Sequence, residues 1–124
     1  LLDAIGLTIN STKKRIKNLD KSKKPRNVVI AIITDGYENA SVEYSTKAIF
    51  NMIHKREKND NWNFLFLAAN QDAITEGAKF GIHQDRALTF ANNDKGVKYS
   101  IRSMSEMCYN LSNDSISEIK FSEL

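Results

Sequence analysis

Val28-Val29-Ile30-Ala31-Ile32-Ile33-Thr34-Asp35-Gly36-Tyr37-Glu38-Asn39 decides the fold. Six apolar residues, all but Ala31 β-branched, run without interruption and then give way to a polar turn. An unbroken Val/Ile run of this length reads as a parallel-sheet strand covered on both faces. Pro25 upstream and Asp35-Gly36 downstream argue against a helix here. Ligands of open parallel sheets bind beyond the carboxyl ends of the strands, and Thr34, Asp35, Glu38 and Asn39 fall at that end. Gly36 is expected to allow a tight turn there.

Outward from this run, helical and extended patterns alternate. Leu2, Ile5, Ile9, Thr12, Ile16 and Leu19 recur at spacings of three and four, which predicts an amphipathic helix over 2–19. Asp3 near its start and lysines near its end suit the helix dipole. After the strand, Ser41 is the expected cap of a second helix reaching about residue 58. Ser45, Ala48, Ile49, Met52 and Ile53 form its inner face, and His54 lies beside it. Trp62–Ala69 is a second apolar strand. Residues 72–80 form a short helix, with Ile74 and Ala78 inward and Gly81 closing it. Ala87–Ala91 is a third strand, and 95–111 a last helix with Val97, Ile101, Met104, Cys108 and Leu111 on one face. From Ser112 to Leu124 the pattern decays.

This alternation predicts an α/β domain over 1–111, a three-layer, doubly wound parallel sheet with 62–69 in the middle and helices on both faces. Three strands are too few for four helices. A Val28–Ile33 strand with one bare edge implies a missing partner strand. That strand would come from an upstream segment, another protomer or a partner protein.

The 124 residues suffice for one core, and 41% hydrophobic with 27% charged residues is ordinary for a soluble protein. No apolar run reaches the roughly 20 residues needed to cross a bilayer. No signal peptide is visible, and a single cysteine excludes an internal disulfide; both fit a cytoplasmic location. Abundant Asn and Lys point to an AT-rich bacterial or phage genome. Residues 13–26 carry eight cations against Asp20 alone, a local +7 within a net charge of +3. With no interleaved aromatics and no nucleic-acid motif, this stretch reads as a solvated helix end and loop.

The strand ending Thr34-Asp35-Gly36, followed by Glu38-Asn39, resembles the fourth strand of a von Willebrand factor A (VWA) domain. Leu1-Leu2-Asp3-Ala4-Ile5-Gly6 is similar to the opening of that family's third helix. Phe64–Ala73 resembles a stretch of its bacterial branch. The family binds a divalent cation through an Asp-x-Ser-x-Ser motif, a Thr before the third helix and an Asp after the fourth strand. The resemblance makes Asp35 that last Asp, a water-mediated ligand of Mg2+ or Mn2+. Thr34, Gly36, Glu38, Asn39 and Asp72 would form the rim.

The chain departs from the family in lacking Asp-x-Ser-x-Ser. Asp20-Lys21-Ser22-Lys23-Lys24 ends in lysine, and Asp114-Ser115-Ile116-Ser117 has the wrong spacing. The sequence therefore reads as the second half of a VWA domain, starting just after the metal-binding Thr. The resemblance implies a non-catalytic module that binds a protein partner through a shared cation, with no metal held by this segment alone and no membrane. Two alternatives are a metal-dependent phosphoryl-transfer enzyme using Asp35, and a structural half-domain completing a sheet with another chain. Neither a nucleophile elbow nor a glycine-rich phosphate loop nor a zinc signature supports an enzyme.

Overall fold

A computed structural model describes residues 1–36, 41–113 and 121. Its elements are α1 (Leu2–Lys17), β1 (Val29–Thr34), α2 (Thr46–Asp60), β2 (Asn63–Ala69), α3 (Ala73–Ala78), β3 (Ala87–Phe90) and α4 (Asp94–Asn113), with short 3-10 turns at Lys21–Lys23 and Gln84–Arg86. The three strands form one parallel sheet in the order β1-β2-β3. Ile32 pairs with Phe66, and Ala68 pairs with both Thr34 and Thr89.

Alternation along β2 divides the core into two layers. Phe64, Phe66 and Ala68 face α1 and α2, meeting Ile5, Ile9, Ile49 and Ile53. Leu65, Leu67 and Ala69 face the other way, against Met107, Leu111 and Phe121. Burying each large apolar side chain contributes about 1.5–3 kcal/mol, so these two clusters supply most of the drive to fold.

The strand covered on both faces is β2, not β1. Ala31 is exposed, and Ile33 is 51% exposed. Both lie on the α4 side of the sheet, where α4 reaches only as far as Val29. The Asn63 amide donates to the Val28 carbonyl, so by parallel alternation the amide and carbonyl groups of Val29, Ala31 and Ile33 point away from β2. No strand pairs with that edge among the described residues.

Helix faces also differ from the expected ones. In α4 the inward residues are Ser100, Ser103, Met107 and Leu111, while Val97 and Ile101 are exposed and Met104 and Cys108 half-buried. Small Ser100 and Ser103 thus take inward positions that the apolar spacing had given to larger residues. In α3, Ala73 and Gly77 face inward and Ile74 and Ala78 outward. A Cβ at Gly77 would stand 3.3 Å from the Phe66 ring, so the smallest residues occupy the closest approach. Gly81, with φ of +79°, ends this helix as expected: its amide donates to the Ala78 carbonyl and that of Ile82 to Gly77.

Ser45 caps α2, its hydroxyl accepting from the Ala48 amide at 3.1 Å. Ser41 has a different task, described below. Helix α4 runs on through Ser112 and Asn113, which donate to the Cys108 and Tyr109 carbonyls, and Phe121 is buried. The others from 114 onward lie outside the described residues.

Gly96 stands against backbone. In the first turn of α4, a Cβ on Gly96 would overlap the Ala91 carbonyl oxygen, a backbone atom that cannot swing aside. Gly96→Ala is expected to destabilise the fold by about 1–3 kcal/mol, as overpacking does. Urea denaturation followed by circular dichroism checks this, and an unchanged midpoint would contradict it.

Candidate functional site

The site expected from the sequence lies at the carboxyl end of β1. Its turn is held by short-range bonds. The Thr34 hydroxyl donates to the Gly36 carbonyl at 2.9 Å and accepts the Gly36 amide at 3.2 Å. From the end of β2, the Gln71 side-chain amide donates to the same carbonyl at 3.3 Å. Gln71 is itself buried, and its carbonyl accepts the Thr89 hydroxyl of β3. The Thr89 oxygen then accepts the Ala73 amide at the start of α3. One chain of hydrogen bonds thus ties the ends of all three strands to the turn.

Asp35 rides on this turn with its side chain exposed. Its carboxylate makes no hydrogen bond or ion pair among the described residues. Thr34 is spent on the turn rather than offered to a ligand. The turn does not depend on glycine: a Cβ at Gly36 would meet nothing within 4 Å, and the backbone there is outside the left-handed region. The hydroxyl clasp of Thr34, not glycine's freedom, shapes it. Glu38 and Asn39 lie outside the described residues.

Asp72 belongs to α3. It caps that helix, with Oδ1 accepting the Thr75 amide at 3.1 Å and Oδ2 accepting the Thr75 hydroxyl at 2.7 Å. These bonds, the side-chain one first, hold its carboxyl below the ordinary carboxylate range. The fit to a metal follows directly. At this end Asp35 and, beyond β3, Asp94 are acids with no hydrogen bond or ion pair among the described residues, and no group of three His, Cys, Asp or Glu able to hold an ion occurs among those residues. Asp35 offers one carboxylate toward the octahedral oxygen shell that Mg2+ prefers.

The histidines do not add to it. His54 is exposed, and His83 Nδ1 accepts the Asp85 amide at 3.2 Å in a surface turn. Cys108 is half-buried, and desolvation pushes its thiol up, away from the reactive thiolate.

Sequence reading missed Asp3. Both its oxygens are used as a clamp: Oδ2 accepts the Val42 amide at 2.8 Å, and Oδ1 accepts those of Glu43 and Tyr44 at 2.9 Å each. Ser41 returns the bond, its hydroxyl accepting the Asp3 amide at 3.1 Å. Gly6 makes room for the Tyr44 ring, to which a Cβ would come within 2.7 Å, and Asn10 donates to the Tyr44 hydroxyl. Residues 41–44, just before α2, are therefore strapped onto α1. An acid in the first turn of a helix reads as a dipole partner, and nothing in the linear sequence marks amides some forty residues away.

Comparisons with known family models, characterised proteins and solved structures return no match. What the coordinates establish is the class: an α/β chain with a three-stranded parallel sheet flanked by helices on both faces. None of its described helices is long and apolar enough to cross a membrane.

The lowered Asp72 pKa has a defined consequence. A carboxyl held low in the folded state adds stability above its unfolded pKa, and that stability is lost as pH falls through the folded value. Asp72→Asn is therefore expected to be less stable than the parent near pH 6, with the difference closing below the ordinary carboxylate range. Thermal melts from pH 2 to pH 7 check this; a pH-independent difference would make the bond to Thr75 insensitive to charge.

Proposed function

We propose that this chain is the C-terminal part of a non-catalytic, VWA-type protein-binding module whose partner is recognised through a shared divalent cation, Mg2+ or Mn2+. The observation that carries this is Asp35: a carboxylate without a partner among the described residues, on a fixed turn at the carboxyl end of a parallel strand. A free acid on a rigid turn is ready to take part in ligation without reorganisation. Asp35 contributes one ligand, and the remaining oxygens come from another segment or from the partner. The resemblance of Thr34-Asp35-Gly36 to the VWA strand end supports the same reading.

Calorimetry tests it. This chain alone is expected to bind Mg2+ or Mn2+ no more tightly than about millimolar, the weak end for few-ligand sites. Asp35→Ala is expected to abolish even that while shifting stability by less than about 0.5 kcal/mol, as for an exposed side chain. Tight binding by the chain alone, lost in Asp35→Ala, would instead favour a metal-dependent phosphoryl-transfer enzyme.

A second observation favours sheet completion by another strand, from another protomer or a further segment. The outer edge of β1 is unpaired among the described residues, and Ile33 beside it is exposed. Such an edge pairs readily with another chain. Ile33→Asp, a charge on the uncovered face, is expected to reduce concentration-dependent self-association in light scattering. A parent chain that stays monomeric to high concentration would remove this reading.

A further inference from the structure

At the opposite end of the sheet, far along the strands from Asp35, the C-terminal ends of α1 and α2 meet the loop that enters β1. A cavity of about 350 Å³ opens between them. Its apolar wall is made by Ile16, Pro25, Val28 and Trp62. Lys13 and Lys17 of α1 and Lys24 and Arg26 of the loop stand around it. None of these four cations has a carboxylate partner among the described residues. Arg56 also lines the cavity, but it is paired with Asp60, the one acid there.

Helix ends alone do not account for this arrangement. Lys13 and Lys17 suit the negative end of the α1 dipole, which amounts to roughly half a charge per helix. Lys24 and Arg26 belong to no helix. They flank Pro25 in extended chain, with Lys24 at φ −69° and ψ 133°, and Pro25 itself forms part of the wall. Two helix termini offset about one unit of charge, so four unpaired cations leave the cavity strongly positive. Small-molecule sites combine an apolar concavity of roughly 300–1,000 Å³ with a few convergent polar groups, and this cavity falls at the small end of that range.

We propose that this cavity binds a phosphorylated small molecule with a flat apolar body, the chemical class of nucleoside diphosphates. The flat body lies against Pro25, Ile16 and the edge of Trp62, and the phosphates meet Lys24, Arg26 and the α1 lysines. A nucleic-acid strand fits less well. Such strands are held by aromatic faces presented for stacking, whereas Trp62 is largely buried. This site is independent of Asp35 and needs no metal.

Trp62 is the only tryptophan in the chain, so the cavity carries its own reporter. The full chain is titrated with ADP in EDTA at low salt, following tryptophan emission. A saturable change is expected, with inorganic pyrophosphate competing and adenosine binding about tenfold more weakly or less, since charge-assisted bonds carry the affinity. The double variant Lys24→Ala, Arg26→Ala, made at exposed loop positions, is expected to lose about tenfold or more in affinity with an unchanged circular dichroism spectrum. Asp35→Ala is expected to bind ADP as the parent does, which separates this test from that of the cation site. Absence of saturation, equal affinity in the double variant, or weakening by Asp35→Ala would each overturn the proposal. A single-stranded oligonucleotide binding more tightly than ADP would replace it with a nucleic-acid surface.

Discussion

Covering β2 on both faces is the constraint from which the rest of the structure follows. From Phe64 to Ala69 every side chain is buried, and successive ones point to opposite sides. An apolar strand of this kind has to be paired along both edges and roofed on both faces, or its burial is lost to water. Strands β1 and β3 supply the edges. Helices α1 and α2 roof the aromatic side, and α4 with Phe121 roofs the aliphatic side. The connections then run in parallel, which brings all the strand ends with polar residues to one end of the sheet.

That shared end explains why the candidate cation site and the structural hydrogen bonds are interwoven. Thr34, Gln71, Thr89 and Asp72 all occupy strand-end positions, and each is used to join strand to turn or turn to helix. Once they are taken, Asp35 on the turn after β1 and Asp94 at the start of α4 keep carboxylates without partners among the described residues. The amino end of the sheet is built differently. There two helices finish and a basic loop passes between them, so positive charge gathers over apolar wall without acids to neutralise it. The two ends thus have opposite chemical character, which follows from where parallel strands begin and where they stop.

The unpaired edge of β1 belongs to the same logic. Ala31, Ile33, Val97 and Ile101 are apolar, exposed and on the same side of the sheet. Side chains of this type beside an open strand edge are what a further strand and helix would cover. The excess of apolar surface was foreseeable from counting strands against helices. Its location was not.

By itself the sequence determined the alternation of elements, the parallel order with the 62–69 run in the middle, the αL ending at Gly81 and the position of Asp35 at a strand end. These follow from local periodicity and from residues whose backbone preferences act within a few positions. Tertiary structure decided what periodicity leaves open. The sequence marked Val28–Ile33 as the strand covered on both faces, and burial gave that place to Phe64–Ala69, which among the described residues has strands on both sides. Helix α4 turned its serines inward because close packing favours small residues at the contact. Asp72 became a cap and Asp3 a clamp because their acceptor oxygens found amides brought near by folding. Lys24 and Arg26 gained a cavity only when α1 and α2 ended beside their loop, since spacing along the chain carries no information about what lies across it.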